Sequence, residues 1–192
     1  MASLIVLSGP SGVGKTTLCK SLLSLSNGNL TRSVSHTTRT MRAGEIEGRD
    51  YYFVNKDQFN LILKSAGFVE HTEYLNNLYG TSREFLNSAL SKDENVLLIL
   101  DHIGAKNVKK MYPSNSHLIF CTPPSVEILK VRLQKRKSST YEEIKERLLM
   151  AQECIATKDW YDHVVVNERL PDTISNLCSL INFISGKSIF GA

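Results

Sequence analysis

Residues 9–16, Gly9-Pro10-Ser11-Gly12-Val13-Gly14-Lys15-Thr16, carry glycines, a lysine and a threonine at the spacing GxxxxGK[ST]. Glycines at 12 and 14 open backbone conformations closed to other residues, so successive N–H groups can turn toward one anion. A helix beginning at Lys15 adds its N-terminal dipole to the same anion. Lys15 then reaches the β and γ oxygens of a polyphosphate, and the Thr16 hydroxyl is placed for a Mg2+ ion. That is the chemistry of a nucleoside triphosphate cradle, shared by many kinases, GTPases and ATPases. A second cluster suits a smaller anion. Arg39 and Arg42 offer planar guanidinium forks that match phosphate oxygens.

Elements of the right kind flank the loop. Residues 3–8 form a short apolar run without alternation, the pattern of a strand buried on both faces. A helix from Lys15 to about Ser24 follows, with Leu18, Leu22 and Leu23 on one side, and Asn27-Gly28-Asn29 breaks it. Further strands are predicted at 32–35, 51–54 and 68–74, with helical spacing at 57–66 between the last two. Thr81-Ser82-Arg83-Glu84 reads as a capping box opening a helix to about Ser91. Val96–Leu100 and His117–Cys121 are two more buried strands, and Val164–Val166 is the last. Helices are predicted over 126–135, from a second capping box at Thr140-Tyr141-Glu142-Glu143 to Ile155, and over 172–184. Buried strands alternating with helices predict an α/β fold with a parallel sheet covered on both faces. The span 32–93, richer in short strands and turns, looks like an inserted antiparallel lobe.

Composition limits the function classes. The chain has 192 residues, 42% of them hydrophobic and 22% charged, which fits one soluble domain carrying an insertion and excludes global disorder. No run approaches the ~20 apolar residues of a membrane helix. The apolar opening at 4–7 lacks a basic flank and runs straight into the loop, so it reads as a strand and not a signal peptide. The four cysteines (Cys19, Cys121, Cys154, Cys178) have neither metal-site nor redox spacing, as expected of free thiols in the cytoplasm. A net charge of +4 fits a phosphate-bearing ligand without implying nucleic acid.

The decisive stretch is Ser35-His36-Thr37-Thr38-Arg39-Thr40-Met41-Arg42-Ala43-Gly44-Glu45, followed by Gly48-Arg49-Asp50-Tyr51-Tyr52-Phe53-Val54. Together with the phosphate loop it closely resembles guanylate kinase, whose pattern is SxSxTTRxxRxGExxGxxYxFV. The resemblance continues through Phe68-Val69-Glu70, Tyr79-Gly80-Thr81, Pro123-Pro124-Ser125 and Val164-Val165-Val166-Asn167, in order and at matching spacing. It implies a P-loop nucleoside monophosphate kinase: a core (1–31, 94–122, 146–192), a GMP-binding lobe (32–93) and a lid (123–145). It also implies transfer of the ATP γ-phosphoryl group to GMP with Mg2+, and ATP and GMP as partners, without nucleic acid or membrane. A homo-oligomer is left open.

The resemblance places Thr17 and Asn167 with the phosphate loop on the ATP side. It places Ser35, Arg39, Arg42, Tyr51, Glu70, Tyr79, Gly80, Thr81 and Asp101 around GMP. Glu70 makes chemical sense there, because one carboxylate accepts from both N1–H and the 2-amino group of guanine. Adenine presents an acceptor at N1 and would leave the carboxylate unpaired. Thr81 has a competing role as helix N-cap. Tyr51 and Tyr79 match phenols on the GMP phosphate. Arg49 reads as solvated surface.

Lys130, Arg132, Lys135, Arg136 and Lys137 crowd one segment, with Arg147 on the next helix. Taken alone they are a basic surface. By resemblance, Arg132, Arg136 and Arg147 are the lid arginines that, with Lys15 and Arg39, stabilise the transferring phosphoryl group. Two departures stand out. Lys135 and Lys137 flank Arg136 where the family usually has glycines. Ile99 and Ile103 replace the first aspartate and the glutamine of the family's second buried strand, leaving Asp101 to face Mg2+-bound water or the GMP side. The missing aspartate supports an alternative, a guanylate-kinase-like binding module that has lost catalysis; a kinase for another nucleoside monophosphate is the third reading.

Overall fold

The structure, a computed structural model, describes residues 2–134 and 141–191. In chain order its elements are β1 (Leu4–Ser8), α1 (Lys15–Leu25), β2 (Leu30–Arg32), β3 (His36–Thr37), β4 (Tyr52–Phe53), α2 (Lys56–Lys64), β5 (Phe68–Tyr74), β6 (Asn77–Ser82), α3 (Arg83–Ser91), β7 (Asn95–Ile99), α4 (His102–Met111), β8 (Ser116–Thr122), α5 (Val126–Gln134), α6 (Tyr141–Ala156), β9 (His163–Val166) and α7 (Leu170–Ser185). A 3-10 turn at Lys158–Trp160 precedes β9.

The aliphatic runs of β1, β7 and β8 have no polar face to turn to water, and they occupy the centre of a five-stranded sheet in the order β2-β7-β1-β8-β9. Every pairing in it is parallel. One face packs Ile5, Leu7, Leu97 and Ile119 against Leu18 and Leu22 of α1 and Leu177 and Ile181 of α7. The other packs Leu4, Val6, Leu98 and Phe120 against Leu86 and Ala89 of α3 and Ala105 and Val108 of α4. The chain leaves β1 for β2 on one side and returns to β8 on the other. Its phosphate loop therefore opens at the carboxyl end of the sheet, where strand order reverses.

The smaller sheet has the order β4-β3-β6-β5. The antiparallel lobe expected from the sequence is mixed here: β5–β6 and β3–β6 run antiparallel, but β3–β4 runs parallel. Phe59 of α2, fully buried, stacks on Phe68 at 4.6 Å and anchors the lobe's own packing. The expected strand at 32–35 is displaced: only Arg32 lies in a strand, and residues 33–35 connect two strands that flank them. Leu30–Arg32 pairs with β7 in the main sheet, and His36–Thr37 pairs with β4 and β6 in the small one. Helix α3, inside the 32–93 span, packs on the central core, because Leu86 and Ala89 have that apolar surface to cover.

Two elements lay below the sequence signal. The buried face of α4 consists of Gly104, Ala105 and Val108, too small to show a strong apolar period. Strand β6 is closed against β5 through Leu75 and Asn76, both at positive φ, where the sequence carries no Gly. The expected strand at 164–166 begins one residue earlier, and α7 starts at Leu170 with Pro171 in its first turn. The capping residue Thr140 lies outside the described residues. No helix among the described residues is long and apolar enough to cross a membrane.

Candidate functional site

The loop Gly9–Gly14 is shaped by close backbone approaches. Gly9 has φ 136° and lies so near β8 that a Cβ there would meet the Cys121 carbonyl at 2.1 Å. Gly14 has φ 107°, and a Cβ would sit 2.6 Å from Asn167 Nδ2. Gly14 is also the N-cap of α1 and brings no side-chain acceptor to the first turn. Helices α2, α3 and α4 differ here, for Asn55, Ser82 and Asp101 each accept from an N–H in the first turn. The leading N–H groups of α1 are thereby left for an anion. Lys15 folds back along the loop, its Nζ donating to the carbonyls of Gly9 (2.6 Å) and Pro10 (3.0 Å). Thr16 and Thr17 are exposed in the first turn of α1, whereas Pro10 and Val13 are buried.

The loop is braced from outside. Asn167 Nδ2 donates to the Val13 carbonyl at 2.7 Å, and its own N–H holds Thr122. Arg132 Nη2 donates to the carbonyls of Asn167 (2.9 Å) and Glu168 (3.3 Å), with Nη1 3.5 Å from the Val13 carbonyl. Both residues expected to touch ATP thus have partners in the loop's support. Arg147 on α6 is half-buried, and its Nε is buried without a hydrogen-bond partner among the described residues. Arg136 lies outside the described residues, as do Lys135 and Lys137. Leu129 and Leu133 of α5 and Ala151 of α6 share a small core of their own.

A second cradle lies in the lobe. Glu70 on β5 pairs across the ladder with Thr81 on β6. The Thr81 hydroxyl donates to Glu70 Oε1 at 2.5 Å. This corrects the capping reading: Ser82, not Thr81, caps α3 by accepting from Phe85 N–H, because Thr81 is still a strand residue whose side chain points to Glu70. Glu70 is only 5% exposed. Burial, reinforced by the nearby Asp101 and opposed by Thr81, pushes its carboxyl up to about 7. Asp101 caps α4, accepting from Gly104 N–H at 2.8 Å. A Cβ on Gly104 would lie 2.7 Å from Glu70 Oε2 and 3.4 Å from Asp101 Oδ1, so Asp101 stands beside the Glu70 carboxylate.

Arg39 faces the rings of Tyr51 and Phe53 at 5.4 and 5.7 Å, and Tyr51 packs edge-on against Tyr79 at 5.9 Å. Burial and Tyr79 raise the Tyr51 phenol above its ordinary range. The loop leading to Arg39 is stapled to β6: Thr37 Oγ1 donates to the Leu78 carbonyl, and Thr38 Oγ1 accepts from Leu78 N–H. Glu45, not assigned from sequence, holds both arginine positions. Its carboxylate accepts from Arg39 Nη2 at 2.7 and 3.0 Å and from Arg42 N–H at 2.8 Å. A carboxylate six residues after one arginine and three after the next was the available signal. The Arg42 side chain is exposed, Ser35 is half-buried, and Gly80 packs against the Phe68 ring. Arg49, read as solvated surface, is 57% exposed yet pairs with the buried carboxylate of Asp50.

The loop, the lobe and their spacing along one chain agree with the family comparison. A guanylate kinase family model matches residues 1–183. The chain belongs to the guanylate kinase family. A guanylate kinase of Wolbachia pipientis wMel is 42% identical over 179 residues, covering 93% of this chain and 89% of that one. One from Chlorobium luteolum is 40% identical over 185 residues, covering 96% and 93%. The crystal structure of guanylate kinase from Anaplasma phagocytophilum superposes with a TM-score of 0.82 at 33% identity, covering 98% of this chain and 89% of that chain. Ile99 ends β7 at the carboxyl end of the sheet, paired with Leu7 and packed on the α1 face.

Proposed function

We propose that this chain transfers the γ-phosphoryl group of ATP to GMP or dGMP, giving ADP and GDP or dGDP. The observation that carries the reading is the buried Glu70–Thr81 pair, a carboxylate 5% exposed with one oxygen oriented by the Thr81 hydroxyl, in a chain that also has an intact phosphate loop. Its ionised form accepts from guanine N1–H and the 2-amino group together. AMP would leave it unpaired, at a cost of orders of magnitude in kcat/KM.

Catalysis rests on positioning and charge neutralisation, because the transferred phosphoryl needs little covalent help. Lys15 and the N–H groups of the loop and of α1 take the triphosphate. Arg39, held by Glu45 and flanked by Tyr51 and Tyr79, takes the acceptor phosphate together with Arg42, and Ser35 and Gly80 line the base side. Arg147 and Arg136 neutralise charge on the transferring group, while Arg132 and Asn167 keep the loop in shape. Lobe 32–93 and lid 123–145 close on the core 1–31, 94–122 and 146–192, excluding water and so limiting ATP hydrolysis.

The residues present fit Mg2+ brought in by the nucleotide. Thr16 offers a hard hydroxyl oxygen beside the loop, and the described residues contain no cluster of three or more His, Cys, Asp or Glu to cage a metal. The ion would be held by Thr16, phosphate oxygens and water, and when bound it neutralises charge between the β- and γ-phosphates. A cytoplasmic location is part of the same reading, supported by four free cysteines.

The test is an acceptor panel of GMP, dGMP, AMP and UMP with Mg-ATP, read by coupled ADP production, with Lys15→Met as the blank. GMP should be preferred over AMP by at least about a thousandfold in kcat/KM. AMP as the better acceptor removes the role given to Glu70. No turnover above the Lys15→Met blank with any acceptor removes the enzyme.

A further inference from the structure

The two cradles sit on different elements, yet phosphoryl transfer needs them in register to a fraction of an ångström. A hydrogen-bonded run, buried at Ser8 and Tyr161 and half-buried at His102, leads from one toward the other. Ser8 is the residue immediately before Gly9, and its side chain is fully buried. Tyr161, 7% exposed, donates its phenol O–H to Ser8 Oγ at 2.9 Å. A phenol has one proton, so with Ser8 as its acceptor Tyr161 can take part with His102 only by accepting. His102 Nδ1 is 3.2 Å from that oxygen. The Tyr161 ring is fixed by Phe120 at 4.9 Å and Trp160 at 5.5 Å, and His102 packs edge-on to Trp160 at 5.4 Å.

His102 is the first residue of α4, directly after the cap Asp101, and two residues later Gly104 presses on Glu70. The path thus runs from the start of the phosphate loop, through Ser8, Tyr161 and His102, into the helix end that seats the base-side carboxylate. None of its members faces either ligand in the roles described above. The phenol lies in an otherwise apolar cluster with Phe120, Leu98 and Val6, where an unmatched polar group is costly, and the half-buried imidazole packed on Trp160 and Tyr161 covers its outer side.

We propose that Tyr161 and His102 are positioning residues that hold the phosphate loop and the Glu70 side of the GMP site in catalytic register. The inference rests on the guanylate kinase reading. It makes a distinct demand: each cradle keeps its own contacts when the chain is cut, so nucleotide affinity survives and the chemical step does not.

The test is steady-state kinetics on the full chain for Tyr161→Phe, His102→Leu, His102→Asn and the Tyr161→Phe/His102→Leu double variant, with melting temperatures beside them. Phe keeps the packing on Phe120 and Trp160 and removes only the hydroxyl. Asn places an amide N–H where the imidazole Nδ1–H was. Tyr161→Phe and His102→Leu should each lower kcat about tenfold with both KM values within about twofold, as expected for lost orientation. His102→Asn should recover most of that loss, and the double variant should be no slower than the worse single, because both cut one chain. The proposal is overturned if Tyr161→Phe leaves kcat unchanged, if the loss lies in KM, if the two losses multiply, or if His102→Asn is as slow as His102→Leu. Should Tyr161→Phe not fold, the His102→Leu and His102→Asn comparison decides alone. Wild-type chain that turns over no GMP would instead remove the reading beneath.

Discussion

At the residue scale, Glu70 carries the sharpest consequences. Its carboxyl lies near 7 in the folded chain because it is buried, against an ordinary carboxylate value of 4.5. Guanine needs the ionised form as acceptor, so KM for GMP should fall as pH rises from about 6 to 8, following Glu70 ionisation. Thr81→Val removes the hydroxyl that favours ionisation, and should move the midpoint of that profile upward. A KM for GMP that is flat over this range would contradict the assignment. Stability follows with the opposite sign. A raised folded value means the neutral acid favours the folded state; that contribution is complete below 4.5 and is lost as pH climbs through 7. Glu70→Gln should therefore lose GMP affinity yet melt higher than wild type at pH 8, by up to roughly 3 kcal/mol, with the advantage shrinking toward pH 5. Ile99 is the second residue-scale case. On the kinase reading proposed above, an aspartate there would add a carboxylate opposite Leu7, at the end of β1 that leads into the phosphate loop, so Ile99→Asp should raise kcat and lower the Mg2+ concentration needed for half-maximal rate. Unchanged kcat and Mg2+ dependence would show that the aliphatic residue costs the reaction nothing.

At the scale of elements, neighbouring hydroxyls divide two tasks that their sequence runs together. Thr81, next to last in β6, has its side chain turned to Glu70, and Ser82 ends the strand and caps α3. Ser82→Ala should cost about 1 kcal/mol of stability with KM for GMP unaltered. Thr81→Val should change GMP binding with little effect on α3, and chemical denaturation beside GMP titration separates the two. The C-terminal segment is the other element whose role emerges in three dimensions. Ile189 and Phe190 are 2% and 4% exposed and complete the core face shared with α1 and α7. Asn182 receives both of their N–H groups on one carboxamide oxygen. Ending the chain at Ser185 should cost roughly 3–6 kcal/mol from the lost burial, which for a chain this size lowers the melting temperature by on the order of 10 °C. A truncated chain that melts with the intact one would show that these contacts contribute nothing.

At the scale of the whole molecule, the fold acts as a frame with two anion cradles, and the Asp50 carboxylate ties lobe to core. It accepts from Ile46 N–H and lies within ion-pair reach of Lys20 on α1 and Arg32 on β2, the latter also donating to the Asp50 carbonyl. Chemistry that is local in the chain was legible in the linear order of residues. The phosphate loop, the buried strands and the parallel α/β sheet follow from spacing and hydrophobic runs, because an N–H cradle or an aliphatic strand acts through its own residue types, whereas the roles expected of the SxSxTTR stretch and Glu70 rested on the family resemblance. What tertiary structure alone decided is which hydroxyl serves which partner, that the 32–35 segment links a strand of one sheet to a strand of the other, that the tail belongs to the core, and that Tyr161 meets Ser8 from 153 positions away. Those outcomes depend on burial and on distances between remote residues. A polar group seeks its partner only after the surrounding apolar packing has removed its water, and no spacing along the chain encodes where that happens.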